Sequence, residues 1–193
     1  MFSIFGRLSA RLAAIPYALV GLFVRVVVAY PFLMSGQGKV EGDNILPEPV
    51  TKLGRDLLGL DLSYKLPQAI AQKTFDAFAN DYKLPVLPSN AAAYIATFAE
   101  IVFPVLILLG LATRLSALAL FIMVLVIQFL VFPGHWWSEH AYWLALLLVL
   151  MSKGAGAISL DSFFGLFRRK PRHMPRDAPS MTDSDMSAPA VRA

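Results

Sequence analysis

The chain contains no cysteine, which excludes disulfides, thiolate metal ligands and a dithiol electron relay of its own. Histidine is scarce, with three in 193 residues. His135 and His140 share one short loop and His173 lies in the tail, so none is placed to ligate a haem inside a helix bundle. The sequence has no phosphate-binding glycine loop, no Ser–His–Asp set and no metal-ligand cluster. His135, Glu139 and His140 come nearest to a metal site, but loop histidines at an interface are commoner than ligands, and no metal is assigned. Charge is also thin, at 16% of residues. The net +4 lies mostly beside hydrophobic runs, where retention of Lys and Arg on the cytoplasmic side explains it, and no nucleic-acid partner is implied.

What remains is apolar. Hydrophobic residues make up 57% of the chain and gather in runs long enough to cross a hydrocarbon core of roughly 30 Å. The pattern predicts an all-α integral membrane four-helix bundle in contact with the lipid bilayer. Its spans are expected at about 15–34, 90–111, 115–132 and 136–152, within a domain covering 1–170. The N-terminal run follows Arg7 and Arg11 like a signal peptide. It is too long for one, contains Arg25 and lacks an A-x-A-type site, so it reads as a retained first span.

Residues 35–89 carry nearly balanced charge, which predicts an outer loop facing away from the cytoplasm. Within it Ala71, Phe75, Phe78 and Tyr82 recur at helical spacing, predicting an amphipathic helix over 67–82 on the membrane surface or capping the bundle. Lys73, Asp76 and Asp81 argue against this segment as a fifth span. The connection 111–115 predicts an antiparallel hairpin with Arg114 at a cytoplasmic turn. Gly154 and Gly156 end the fourth span, Ser159 or Asp161 can cap a helix over 162–169 beside Arg168-Arg169-Lys170, and residues 171–193 read as a disordered tail. Four spans with both termini cytoplasmic satisfy these charge markers. In a bacterium this places the protein in the inner membrane.

Inside the spans stand three polar groups: Arg25, Glu100 and Gln128. An ionisable side chain at bilayer depth costs roughly 2.5–3.5 kcal/mol on insertion scales, so it needs a partner. Counting from opposite sides of the membrane puts Arg25 and Glu100 at similar depth, which predicts a buried ion pair. Pro104 cannot donate to the Glu100 carbonyl, so a kink and a free acceptor fall beside the carboxylate, and Gln128 can bring an amide nearby. Two readings of Arg25 and Glu100 stay open. One is a structural clip that sets helix register; the other is an intramembrane pocket for the head of a small lipophilic molecule such as a quinone, or for proton relay.

The first-span arginine, Ser35-Gly36-Gln37-Gly38-Lys39, Ala99-Glu100, the Leu109-Gly110-Leu111-Ala112-Thr113-Arg114-Leu115 turn and the closing Gly154-Ala155-Gly156-Ala157-Ile158-Ser159-Leu160-Asp161 occur in this order. Together they resemble the DoxX family of small four-helix membrane proteins over roughly residues 20–165. Ala155 departs from the proline common at that position. The long loop ending Tyr82-Lys83-Leu84-Pro85-Val86-Leu87-Pro88 is similar to members encoded beside small metal-stress peptides and their modifying enzymes. The resemblance implies an accessory membrane subunit of an oxidoreductase system, with a soluble or membrane oxidoreductase partner and quinone as electron acceptor. No cofactor intrinsic to the chain is evident. Arg25, Lys39, Glu100 and Arg114 match the family's recurrent polar positions. The site candidates are therefore Arg25, Glu100 and Gln128 for chemistry, and Arg25, Lys39 and Glu100 for cofactor binding. A non-catalytic scaffold or assembly factor and a small transporter, which would need a homo-oligomer to line a pore, are the alternatives.

Overall fold

The computed structural model describes residues 2–59, 61–85 and 87–165. Among them, three helices are long and apolar enough to cross a membrane: Tyr17–Gly38 (α2), Ser89–Leu109 (α5) and Thr113–Val131 (α6 with a terminal π turn). A fourth helical stretch is built from the π turn Trp136–His140 and α7, Ala141–Lys153. Its leading turn carries Glu139 and His140, which is why its hydropathy falls below that of the other three. It belongs to the bundle all the same, because Leu144, Leu147 and Leu150 are buried against Val28 and Phe32 of α2, Ile107 of α5, and Leu120 and Val124 of α6. The outward faces stay apolar, with Phe23, Tyr94, Phe98, Phe129 and Leu148 exposed, as a helix bundle solvated by lipid requires. The protein is an all-α membrane helical bundle.

The first span departs from expectation at both ends. Arg7 and Arg11 lie on a separate helix, α1 (Phe2–Ala13), and α2 starts after Pro16, whose extended backbone and missing N–H break the chain there. At its far end α2 runs four residues beyond Met34, to Gly38.

The outer segment is more structured than one amphipathic helix. Val40–Glu41 (β1) pairs antiparallel with Ala69–Ile70 (β2), and Glu48–Leu58 forms α3 after Pro47. The expected 67–82 helix is shorter. It comprises α4 (Gln72–Ala77) and a π turn, Phe78–Tyr82, because residues 69–70 are drawn into the strand pair. Phe78 packs on Ala92 and Ala93 of α5, so this element caps the bundle.

The α5–α6 hairpin is as tight as expected and is locked from two directions. Gly110 adopts φ +68°, its N–H donates to Ile107 O and that of Leu111 to Leu106 O, which closes the end of α5. Asp161 reaches the start of α6 from the closing segment. Its Oδ1 accepts from the Ala112 N–H at 2.7 Å and its Oδ2 from the Thr113 N–H at 3.1 Å. A carboxylate at a helix N-terminus satisfies otherwise unpaired amides and suits the helix dipole. Ser159 caps the short helix α8, Leu160–Phe163. The expected continuation to 169, the Arg168-Arg169-Lys170 cluster and the tail 171–193 lie outside the described residues.

A Cβ at Gly110 would stand 2.5 Å from both Arg25 Nη1 and Ser159 Cβ, at a backbone angle that L side chains rarely adopt. Gly110→Ala should therefore destabilise the protein by about 2–4 kcal/mol in detergent-titrated unfolding. Gly38→Ala, whose Cβ would meet nothing within 4 Å, serves as the neutral control.

Candidate functional site

Arg25 and Glu100 are both buried, at 2% and 5% exposure, but they do not pair. The expected ion pair is corrected to two separate arrangements. The Arg25 guanidinium donates to the carbonyl of Leu108 at 3.0 Å, to that of Ile158, and from Nε to Gly21 O at 3.4 Å. Leu108 O belongs to the last turn of α5, whose carbonyls lack helical partners and carry the negative end of the dipole. Arg25 thus ties together α2, the hairpin and the closing segment. Nearby, the Tyr17 hydroxyl donates to Gly154 O at 2.9 Å.

The counter-ion of Glu100 is Lys39. Its Nζ lies 2.5 Å from Glu100 Oε2 and 2.8 Å from Ser35 Oγ. The reason lies in helix register. A Cβ at Gly36 would stand 3.1 Å from the backbone carbonyl carbon and Cβ of Glu100, so Gly36 is the α2 residue level with the carboxylate. Arg25 is about eleven residues away along the same helix, roughly 16 Å at 1.5 Å per residue. Matching helix centres fails because α2 and α5 are staggered: the start of α5 rises past α2 to meet Phe78, and the start of α2 passes the hairpin to meet Ala155 and Gly156.

The outer segment fixes Lys39 from behind. Lys39 is the C-cap of α2, and its carbonyl accepts from the Ala71 N–H at 2.9 Å and the Thr74 hydroxyl at 3.1 Å. Gln37 Oε1 accepts from the Lys65 N–H at 2.6 Å, and Val40 is buried in the strand pair. The 40–82 segment is therefore a clamp on the polar end of α2, and its lysine points inward.

Lys39 and Glu100 line a cavity of about 440 Å³ between α5 and α6, within the size range of small-molecule sites. Its walls are apolar, from residues such as Ala96, Phe103 and Ala119, and Tyr82 and Leu84 roof it from the outer segment. Ile95, Ile122 and Val126 line it and are also exposed among the apolar residues of the bundle. Burial and the nearby Glu100 and Asp81 carboxylates hold the Tyr82 hydroxyl above its ordinary pKa, so it stays a neutral hydrogen-bonding group at the roof.

Gln128 is buried but does not approach Glu100. Its Nε2 donates to Pro133 O at 2.7 Å and its Oε1 lies 2.5 Å from His140 Nδ1. His140, expected in an interfacial loop, is 3% exposed, because the helix carrying it begins one π turn earlier, at Trp136. His140 lines the same cavity, beside Trp143, with ring centroids 5.5 Å apart. Among the described residues no three His, Asp or Glu side chains are grouped as a metal site. Sequence reading missed His140, Tyr82 and Trp143. A buried Gln within reach of a helix-borne His was the available signal.

The bundle and its cavity define a small polytopic membrane protein with a ligand-sized chamber. A DoxX family model matches residues 20–133, more than half of the chain, and the protein belongs to the DoxX family. An uncharacterized protein of Haemophilus influenzae is 33% identical over 84 residues, covering 40% of this chain and 56% of the relative, so the match spans little more than half of that protein. No solved structure matches.

Proposed function

We propose that the protein is a membrane-embedded subunit of an oxidoreductase system and binds a quinone-class head group in the α5–α6 cavity. The observation that carries this is the Lys39–Glu100 pair set into a mostly apolar chamber whose other polar lining includes Tyr82 and His140. A buried ion pair is seldom more stabilising than a well-packed apolar pair of similar volume, so its presence at this depth favours a role beyond stability. A quinone carbonyl can accept from the ammonium, which spends only part of its donor capacity on Ser35 and Glu100. An isoprenoid tail can leave between Ile95, Ile122 and Val126 into the bilayer. In this reading electrons arrive from a partner oxidoreductase. The membrane is the bacterial inner membrane, with the Arg7, Arg11, Arg114 and Lys153 end cytoplasmic by the positive-inside rule.

The test is calorimetric binding of a short-chain benzoquinone to the full chain in lipid nanodiscs. The wild type should bind saturably. Lys39→Met combined with Glu100→Gln removes both charges without stranding either, and should weaken binding by about tenfold to a hundredfold. Arg25→Lys, remote from the cavity, should leave the affinity of the folded fraction unchanged. Absence of saturable binding by the wild type overturns the proposal.

A further inference from the structure

At the Gln128–His140 contact, the geometry settles which nitrogen carries the proton. The Gln128 amide nitrogen must face Pro133 O, since a flipped amide would set two carbonyl oxygens 2.7 Å apart. Its Oε1 therefore faces His140, and an amide oxygen only accepts. His140 Nδ1 is accordingly the N–H of the neutral ring, and Nε2 carries the lone pair. Among the described residues Nε2 has no hydrogen-bond partner and, unlike Thr113 Oγ1 and Ser116 Oγ, it is not fully enclosed, on a side chain that lines the cavity. An accessible lone pair beside the cavity can take a donor from a ligand bound there.

We propose that His140 Nε2 accepts a hydrogen bond from a ligand hydroxyl, so that at neutral pH the cavity binds a hydroquinone more tightly than the corresponding quinone. This rests on the quinone-class reading above and adds the redox form that the site selects. A quinone brings only acceptors. It can meet Lys39, but at His140 its carbonyl would oppose a lone pair and leave both atoms unsatisfied. A hydroquinone hydroxyl donates there. Gln128 is a positioning residue: it touches no ligand but holds the tautomer. When the ring gains a second proton, Nε2 becomes a donor and the preference should vanish or reverse. The titratable groups around the ring are Glu139 on its own element, His135 with its ring centroid 6.2 Å away, and Lys39, Tyr82 and Glu100 on the shared cavity wall.

The experiment measures calorimetric affinities in nanodiscs, at about pH 8 and about pH 4, the lower chosen well below the ordinary imidazole range because the ring is buried. The probes are a short-chain benzohydroquinone, its quinone and its dimethyl ether, which keeps the ring and both oxygens, adds two methyl groups and has no O–H. At the higher pH the hydroquinone should bind about tenfold tighter than either other form, the worth of one hydrogen bond. At the lower pH the quinone should draw level or lead. His140→Phe should abolish the preference at both pH values. Gln128→Leu should move the pH at which it changes, which a purely structural glutamine would not do. Should either variant fail to fold, the wild-type pH series decides alone. Equal affinity for all three probes at the higher pH overturns this inference and leaves the quinone-class reading standing. Binding of none overturns both.

Discussion

Lys39→Met should cost the protein about 3–5 kcal/mol of stability, and adding Glu100→Gln should restore most of that loss. With the ammonium gone, Glu100 would remain at 5% exposure with an unpaired charge among Ala96, Ala99 and Phe103, unable to recruit water as a surface carboxylate does. It would hold a proton or force the outer ends of α2 and α5 apart. Neutralising both partners removes the electrostatic problem and leaves side chains of similar volume. The double variant should therefore be folded but deficient in ligand binding, separating the pair's role in function from its role in structure. A double-mutant cycle in detergent-titrated unfolding reads the result. Equal instability of the single and double variants would mean that the loss does not come from a stranded Glu100 charge, and would contradict this account.

The second large effect separates the two cations, buried Arg25 and half-buried Lys39. Exchanging charges between Arg25 and Glu100, as Arg25→Glu with Glu100→Arg, should give a protein no better folded than the worse single variant. A carboxylate at position 25 would face the carbonyls of Leu108 and Ile158, acceptor against acceptor. An arginine at 100 would stand beside Lys39, whose Nζ now lies 2.5 Å from Glu100. The coupling energy between the two positions should be close to zero, as for sites without a shared partner. The reciprocal exchange, Lys39→Glu with Glu100→Lys, should recover a substantial part of what each single reversal loses. Monodisperse yield on size exclusion and unfolding midpoints report both cycles.

Much of the fold is legible in the sequence because hydrocarbon solvation leaves few choices. Runs of apolar residues at 90–111 and 115–132, separated by a glycine-containing turn, admit little but a helical hairpin. Glu100 is legible as a site for the same reason: a carboxylate in such a run demands an explanation. Its partner is not legible from depth alone. Counting residues inward from each membrane face assumes that both helices begin at the same planes, whereas α2 extends to Gly38 and α5 begins beyond it. What sets the register is close backbone approach at Gly36, a contact between helices that no periodicity within one helix reveals. Lys39 is in view in the Ser35–Lys39 motif and as a cofactor-binding candidate, but within a polar loop beginning at Ser35 and not as the partner of Glu100. Its inward direction depends on the Val40–Ile70 pairing and the Ala71 and Thr74 contacts, which join residues about thirty positions apart. His140 was hidden differently. A histidine beside Glu139 and two tryptophans reads as interface, and only packing against Gln128 and Trp143 draws it inside.

The central claim is that the chamber at Lys39–Glu100, not the Arg25 hub, receives the ligand. Photo-crosslinking with an azido-benzoquinone in nanodiscs, followed by peptide mass spectrometry, tests it most directly. Labelling should concentrate on cavity residues such as Phe103, Met123 and Trp143, compete with unlabelled quinone, and fall away in the Lys39→Met, Glu100→Gln protein. Competable labelling around Arg25, Leu108 and Ile158, or only non-competable labelling of lipid-facing residues such as Phe23 and Phe129, would contradict it.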